Sequence, residues 1–302
     1  MLLYPRRRST ASWRPRPASV RCRRRTASRS RSAGRTTLSA EFFRSLWGPY
    51  SGVETFPDVC AATARRGYAG IETNPVFFAK QLDEAQRIVA DHGLKFLARA
   101  HTFGDDVDAH LGWVRRCVDA AVAFGSPHVI VQSGDDRFTD AQVDEYFRAA
   151  ATIEAESGLR LAHETHRGCI LYSPWVTARV LDRFPEVWLA SDYSHWVIVT
   201  EGYMPFDDEI LARCANRTIH IDARVGTPES PQVPDPRLEE AAESLGWFDR
   251  YWDEIHAAAA ARGDGLTVVP EFGPPPYEPP GAGDRDDICQ WMADRLRDRW
   301  SA

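Results

Sequence analysis

The chain has 302 residues, 43% hydrophobic and 26% charged, with 20 glycines and 20 prolines, a balance that excludes collagen, a disulfide scaffold and a wholly disordered chain. The net charge of −6 hides a division. Residues 1–40 carry twelve arginines and no acid or lysine, which leaves −18 on the rest, a body that repels polyanions and argues against nucleic acid as a partner.

In chain order, residues 1–40 come first, rich in Arg, Ser and Pro and without helical or strand periodicity. They read as a disordered basic extension, with an organellar transit peptide and a nucleic-acid-binding arm as alternatives. From residue 41 to 302 the pattern is that of one catalytic domain. Short apolar runs predict strands at 42–47, 70–72, 95–101, 128–132, 160–164, 187–192, 218–222 and 266–272. Amphipathic segments between them predict helices at 56–66, 76–92, 106–124, 139–156, 174–184, 207–214, 247–262 and 284–299. Thr55, Asp106, Thr139 and Ser173 are candidate N-caps, and glycines such as Gly125 and Gly158 stand at helix ends. Eight strand–helix units over about 260 residues suit an α/β fold, a (β/α)₈ TIM barrel, with a doubly wound open sheet as the alternative. No apolar run approaches the roughly 18 residues of a membrane span. Cys22, Cys60, Cys117, Cys169, Cys214 and Cys289 are scattered without a C-x-x-C pair, so a reducing, cytoplasmic setting is expected.

The strands end on Trp47, Glu72, His101, Gln132, Glu164, Asp192, His220 and Glu271. In a barrel these ends converge on one rim, where active sites sit; in an open sheet they spread along an edge, which favours the barrel. Glu164 lies in LAHETHRG, Asp192 in LASDYSHW, His220 in TIHIDARVG and Glu271 in VVPEFGPPP. Three carboxylates in one partly dry mouth require a cation. Three carboxylate oxygens and one imidazole suit Mn²⁺, Mg²⁺ or Co²⁺ better than Zn²⁺. The competing reading pairs these acids with local bases such as Arg167 and Arg224.

These four strings resemble the xylose isomerase-like TIM-barrel superfamily, in particular its sugar isomerase/epimerase branch, over roughly residues 42–300. The resemblance implies metal ligation by Glu164, Asp192, His220 and Glu271. It implies a substrate-binding histidine three residues after the aspartate, His195, and a substrate-contacting arginine after strand seven, Arg224. A metal chelated by a carbonyl and its neighbouring hydroxyl stabilises an enediolate, and Glu164 and Glu271 are the natural carboxylates to remove and return the proton.

His101 and Glu72 are candidates for binding substrate hydroxyls. Trp47 and Trp196 are candidates to stack on a sugar face. His166 and Arg167 follow Glu164 and are placed to orient it or to bind substrate. Nine prolines fall in the segments after strands seven and eight, which read either as a wall over a small substrate or as a contact in a homo-oligomer. Arg99, Arg167, Arg224 and Arg237 are candidates for an anionic substrate group. The function expected is a metal-dependent isomerase or epimerase of a monosaccharide or related polyhydroxy carbonyl compound. The alternatives are a dehydratase acting on a keto-sugar or inosose, an endonuclease IV-like repair enzyme and a non-catalytic sugar-binding barrel.

Overall fold

Each apolar run becomes a parallel strand, and in a computed structural model the eight close on themselves. The structure describes residues 40–47, 55–203 and 208–301. The expected extension at residues 1–39 lies outside them. The strands are β1 (Ala40–Ser45), β2 (Gly70–Thr73), β3 (Lys95–His101), β4 (Val129–Gln132), β5 (Leu161–Glu164), β6 (Trp188–Ser191), β7 (Thr218–Asp222) and β8 (Leu266–Val269). Neighbours pair in chain order, and β8 returns to β1 with Ala40 opposite Leu266 and Phe42 opposite Val268. The closed barrel is therefore the fold, and the open sheet is excluded. Strand β1 starts at Ala40, so that residue belongs to the barrel rather than to the extension.

Side chains alternate faces along a strand, and this period builds the interior in layers. Phe43, Leu97, Ile130, Ala162, Ala190, Ile219 and Val269 form an apolar plug. Two residues beyond six of these come Ser45, Arg99, Gln132, Glu164, Asp192 and Glu271, so one step of the period turns an apolar floor into a polar mouth; on β7 a register shift against β6 breaks the period, and Asp222 rather than Ile221 reaches the mouth. The intervening residues, such as Phe96, Val131, Leu161 and Val268, face outward into the larger core under the helices. Gly70 opens β2 because a Cβ there would lie 2.1 Å from the Lys95 carbonyl oxygen.

The helices are α1 (Phe56–Arg65), α2 (Leu82–Asp91), α3 (Val107–Phe124), α4 (Asp140–Ser157), α5 (Pro174–Arg183), α6 (Tyr193–Val199), α7 (Asp208–Arg217), α8 (Ala242–Arg262) and α9 (Arg285–Ser301). Thr55 and Thr139 make capping boxes with Asp58 and Gln142. The expected helix at 76–92 is divided. A 3-10 turn, Pro75–Phe78, capped by the Asn74 side chain, precedes α2. Helix α6 is absent from the sequence reading because YSHWVIV is apolar and β-branched. It is started by Asp192, whose Oδ1 accepts the Ser194 N–H.

Candidate active site

Arg99, on the inward face of β3, is 3% exposed and has four carboxylates around it. Its Nε donates to Glu72 Oε1 (2.5 Å), Nη1 to Glu164 Oε2 (2.6 Å) and Nη2 to Asp222 Oδ1 (2.5 Å). Glu271 Oε1 lies 3.7 Å from Nη2. All four acids are buried, so unpaired charge there would be costly, and the guanidinium answers part of it.

A second buried guanidinium stands beside the first. Arg224 donates through Nη2 to Asp192 Oδ2 and through Nε to Ser194 Oγ (3.0 Å), and its Nη2 lies 3.3 Å from Glu271 Oε2. Asp192 is thereby fully engaged, because its Oδ1 also accepts from Ser194 Oγ (2.6 Å). The competing expectation, that these acids pair with local arginines, is realised here by Arg224 and Arg99, while Arg167 packs over the Tyr277 ring at 5.2 Å.

Five buried carboxylates against two guanidinium groups leave negative charge in excess, and the acids divide the consequence unequally. Burial raises the Glu164 carboxyl to about 8, against the pull of Arg99 and with the push of Asp222 and Asp192. Burial, then Asp222, holds Glu271 well above the ordinary carboxylate range. Asp222 goes the other way: burial would raise it, but Arg99 and His220 outweigh burial and keep it ionised. One barrel mouth thus contains both proton-holding and ionised carboxyl groups, the condition for acid and base roles near neutral pH.

The four-ligand metal set does not assemble in the expected form. His220 lies below the rim, with Nδ1 2.7 Å from Thr267 Oγ1 and Nε2 3.1 Å from Asp222 Oδ1. An ionised Asp222 accepts a hydrogen bond from the Nε2 N–H, and Nδ1 accepts one from the Thr267 hydroxyl, so neither imidazole nitrogen has a spare lone pair. The rim position on β7 belongs to Asp222, two residues further along the same face. Asp192 and Glu271 lie against arginines. Among the described residues, one group does bring metal-ligating atoms together: those of Glu164, His166 and His195 all lie within 4.8 Å of one another. Burial, with Arg224 nearby, lowers His166 to about 3; burial and His166 hold His195 well below the ordinary histidine range. Both rings are therefore neutral. The His166 Nδ1 faces the Arg167 carbonyl, which puts the proton there and frees Nε2; His195 Nε2 accepts from Arg224 Nη2 at 2.9 Å, which puts its proton on Nδ1, buried without a partner. A carboxylate with two neutral imidazoles is a donor set for a divalent metal, which at His195 would have to displace Arg224 from Nε2.

A cavity of about 420 Å³ opens over this floor and is lined by Trp47, Glu72, Arg99, His101, Glu164, His166, Arg224, Glu271 and Tyr277, among others. Burial and Arg99 lower His101 to about 4, so it faces the cavity as a neutral ring. His195 lies behind His166, with ring centres 3.8 Å apart. Trp196 is not in the cavity: it is buried, stacks on Tyr193, and its Nε1 donates to the Leu171 carbonyl. Its place on the inward side of α6 makes it core rather than a sugar platform. Trp47 instead meets Tyr277 edge to face, with centres 5.0 Å apart. Tyr277 comes from the proline-rich segment after β8, so that segment contributes a wall of the cavity.

The sequence reading missed Asp222 and Tyr277 and gave Arg99 no structural part. Strand parity points to two of them: Leu97, Arg99 and His101 share one face of β3, and His220 and Asp222 share one face of β7. Parity gives the side, not the height.

The profile of the xylose isomerase-like TIM-barrel family matches residues 60–295. No curated protein sequence matches the chain. Among solved structures, the zinc-bound IolI protein is 16% identical over 87% of this chain and 99% of its own, with a TM-score of 0.60. The 3-keto-D-glucoside 4-epimerase from E. coli is 14% identical over 86% and 100% of the two chains, with a TM-score of 0.58. A probable 3-DHS dehydratase of petrobactin synthesis from Bacillus anthracis is 13% identical over 85% and 98%, with a TM-score of 0.57. At such identities these likenesses concern the fold. With the profile covering most of the barrel, the chain belongs to the xylose isomerase-like TIM-barrel family.

Proposed function

We propose that the chain is an isomerase or epimerase of a monosaccharide or related polyhydroxy carbonyl compound, acting by proton transfer at the carbon next to the carbonyl. The observation that carries this reading is the pair Glu164 and Glu271, which face one sugar-sized cavity from either side of the Arg99 guanidinium with raised affinity for protons. In its ionised form, one takes the α-proton; in its protonated form, the other delivers a proton to the opposite face or the neighbouring carbon. The Arg224 Nη1, buried without a partner on the cavity wall, is a donor for a substrate oxygen. Glu72 and His101 are polar partners for hydroxyls, and Trp47 and Tyr277 offer ring faces to C–H groups.

Glu164, His166 and His195 would hold a divalent ion, which when bound supplies Lewis-acid stabilisation of the enediolate. The Mn²⁺, Mg²⁺ or Co²⁺ expected for an oxygen-rich set gives way in this reading to Zn²⁺ or Co²⁺, since two of the three donors are imidazoles. We also place the chain in a reducing compartment, a reading supported by the free thiols of Cys60, Cys117, Cys169, Cys214 and Cys289.

Dehydration is the second reading, favoured by the raised proton affinity of both Glu164 and Glu271, since the one that does not take the α-proton can deliver its proton to a departing β-hydroxyl, which leaves as water. Incubation with a panel of ketoses and inososes in deuterated water separates the two. Isomerisation or epimerisation incorporates deuterium without other mass change, whereas dehydration removes 18 mass units. No deuterium exchange with any polyhydroxy carbonyl compound would overturn the proton-transfer reading.

A further inference from the structure

The four acids around Arg99 come from four strands, β2, β5, β7 and β8, and they meet one side chain of β3. A ring of oxygens from opposing strands is the arrangement in which a hard divalent cation sits. Here its centre is filled by a guanidinium with donors directed at three of the four acids. Arginine is not deprotonated in proteins, so the centre cannot be vacated by loss of a proton, and a divalent ion entering the ring would meet a fixed positive charge at contact distance. On β7, the position facing Arg99 is a carboxylate, Asp222, and the imidazole of His220 is engaged below it. This replaces a neutral nitrogen ligand at the rim with a counter-ion for arginine.

We propose that Arg99 is a tethered cation that takes the place of a metal within the ring of Glu72, Glu164, Asp222 and Glu271. The ring then needs no ion in order to fold and admits none. Any divalent metal is confined to the Glu164–His166–His195 side, where the three ligating atoms lie within 4.8 Å of one another. The inference rests on the charge geometry and not on any reaction, so it stands or falls separately from the proposed activity.

Metal binding by the full-length chain, dialysed against EDTA and measured without substrate, tests it. Ca²⁺ is the probe for an oxygen ring and Co²⁺, with its visible absorption, for imidazole ligation. The EDTA-dialysed wild type should be folded and bind no Ca²⁺ at 1 mM, the roughly millimolar limit of weak calcium sites. It should bind one equivalent of Co²⁺, lost in His166→Ala. In Arg99→Met the ring loses its cation, and Ca²⁺ should bind at least about tenfold more tightly than to wild type and raise the melting temperature. Folding of that variant only in the presence of Ca²⁺ supports the proposal equally. Arg99→Lys, which keeps the charge, should fold and ignore Ca²⁺. If Arg99→Met does not fold under any condition, the wild-type and Arg99→Lys measurements decide. Tight Ca²⁺ binding by the wild type that is abolished by Asp222→Asn or Glu271→Gln, or a folded Arg99→Met that gains no Ca²⁺ affinity, overturns the proposal.

Discussion

At the scale of single residues, the site is governed by which carboxyl groups hold protons. Glutamine keeps the shape and the neutral oxygen of a protonated glutamate but cannot take a proton. Glu164→Gln and Glu271→Gln should therefore remain folded with Arg99 in place while turnover falls by roughly 10²–10⁴-fold. A steady-state assay on either variant showing near-normal rate would remove the two-carboxylate mechanism. His101 supplies a prediction on stability. Its folded-state pKa of about 4, depressed by burial and by Arg99, lies below the roughly 6.5 of an unfolded histidine. Between those values the unfolded chain binds a proton that the folded chain does not. Its contribution is thus intact above pH 6.5 and is lost as the pH falls towards 4, by at most about 1.4 kcal/mol per pH unit. His101→Gln should flatten that part of the stability profile in urea titrations across the range. An unchanged slope would mean that the ring is charged in the folded state.

At the scale of elements, close approaches fix the cavity walls. Gly273 leaves β8 directly against the Trp47 ring, where a Cβ would fall 2.1 Å from a ring carbon. Its N–H and carbonyl are both held by the Gln232 side chain from the segment after β7, at 2.7 and 3.2 Å. Gln232→Ala should strand those two backbone groups, cost about 1–3 kcal/mol, and raise KM more than it lowers kcat, because the wall carrying Tyr277 shifts while the carboxylates do not. Gly70→Ala should be worse, since its Cβ would fall 2.1 Å from the Lys95 carbonyl oxygen and backbone cannot move aside as a side chain can. A loss of roughly 3 kcal/mol or more in denaturant melts is expected. These elements also show what a sequence makes legible. The two-residue period of LARAH or LAHETH, read with the spacing of the strands, is enough to place Glu72, His101 and Glu164 on the inner face of a barrel. The ring around Arg99 is not legible in that way. It depends on which of two same-facing residues, His220 or Asp222, reaches the mouth, and strand tilt and pairing register set that height. Trp196 reads as a sugar platform in sequence because it closely follows the end of strand six, and only the fold shows that a helix begins there and turns the ring into the core.

At the scale of the whole molecule, the eight strands that close the sheet all lie between Ala40 and Val269. A chain starting at residue 39 should match the full-length melting temperature and turnover, although its net charge falls to about −18; a large loss of either by calorimetry or assay would assign the arginine-rich segment a part in the fold. The pairing of β1 with β8 has a further consequence. Helix α9 follows β8 and returns to β1, where Arg44 Nη2 meets Asp286 Oδ2 at 2.6 Å and Trp300 packs 6.1 Å from the Phe42 ring. The last helix is therefore fastened to the first strand. In topological terms the backbone is a necklace whose clasp is one seam among eight equivalent ones. Ser301 joined to Ala40 by a short linker, with the chain reopened at the exposed turn around Gly158, yields a permuted polypeptide in which β5 comes first. That order should still arrive at the same ring, with Arg99 now encoded nearer to its end.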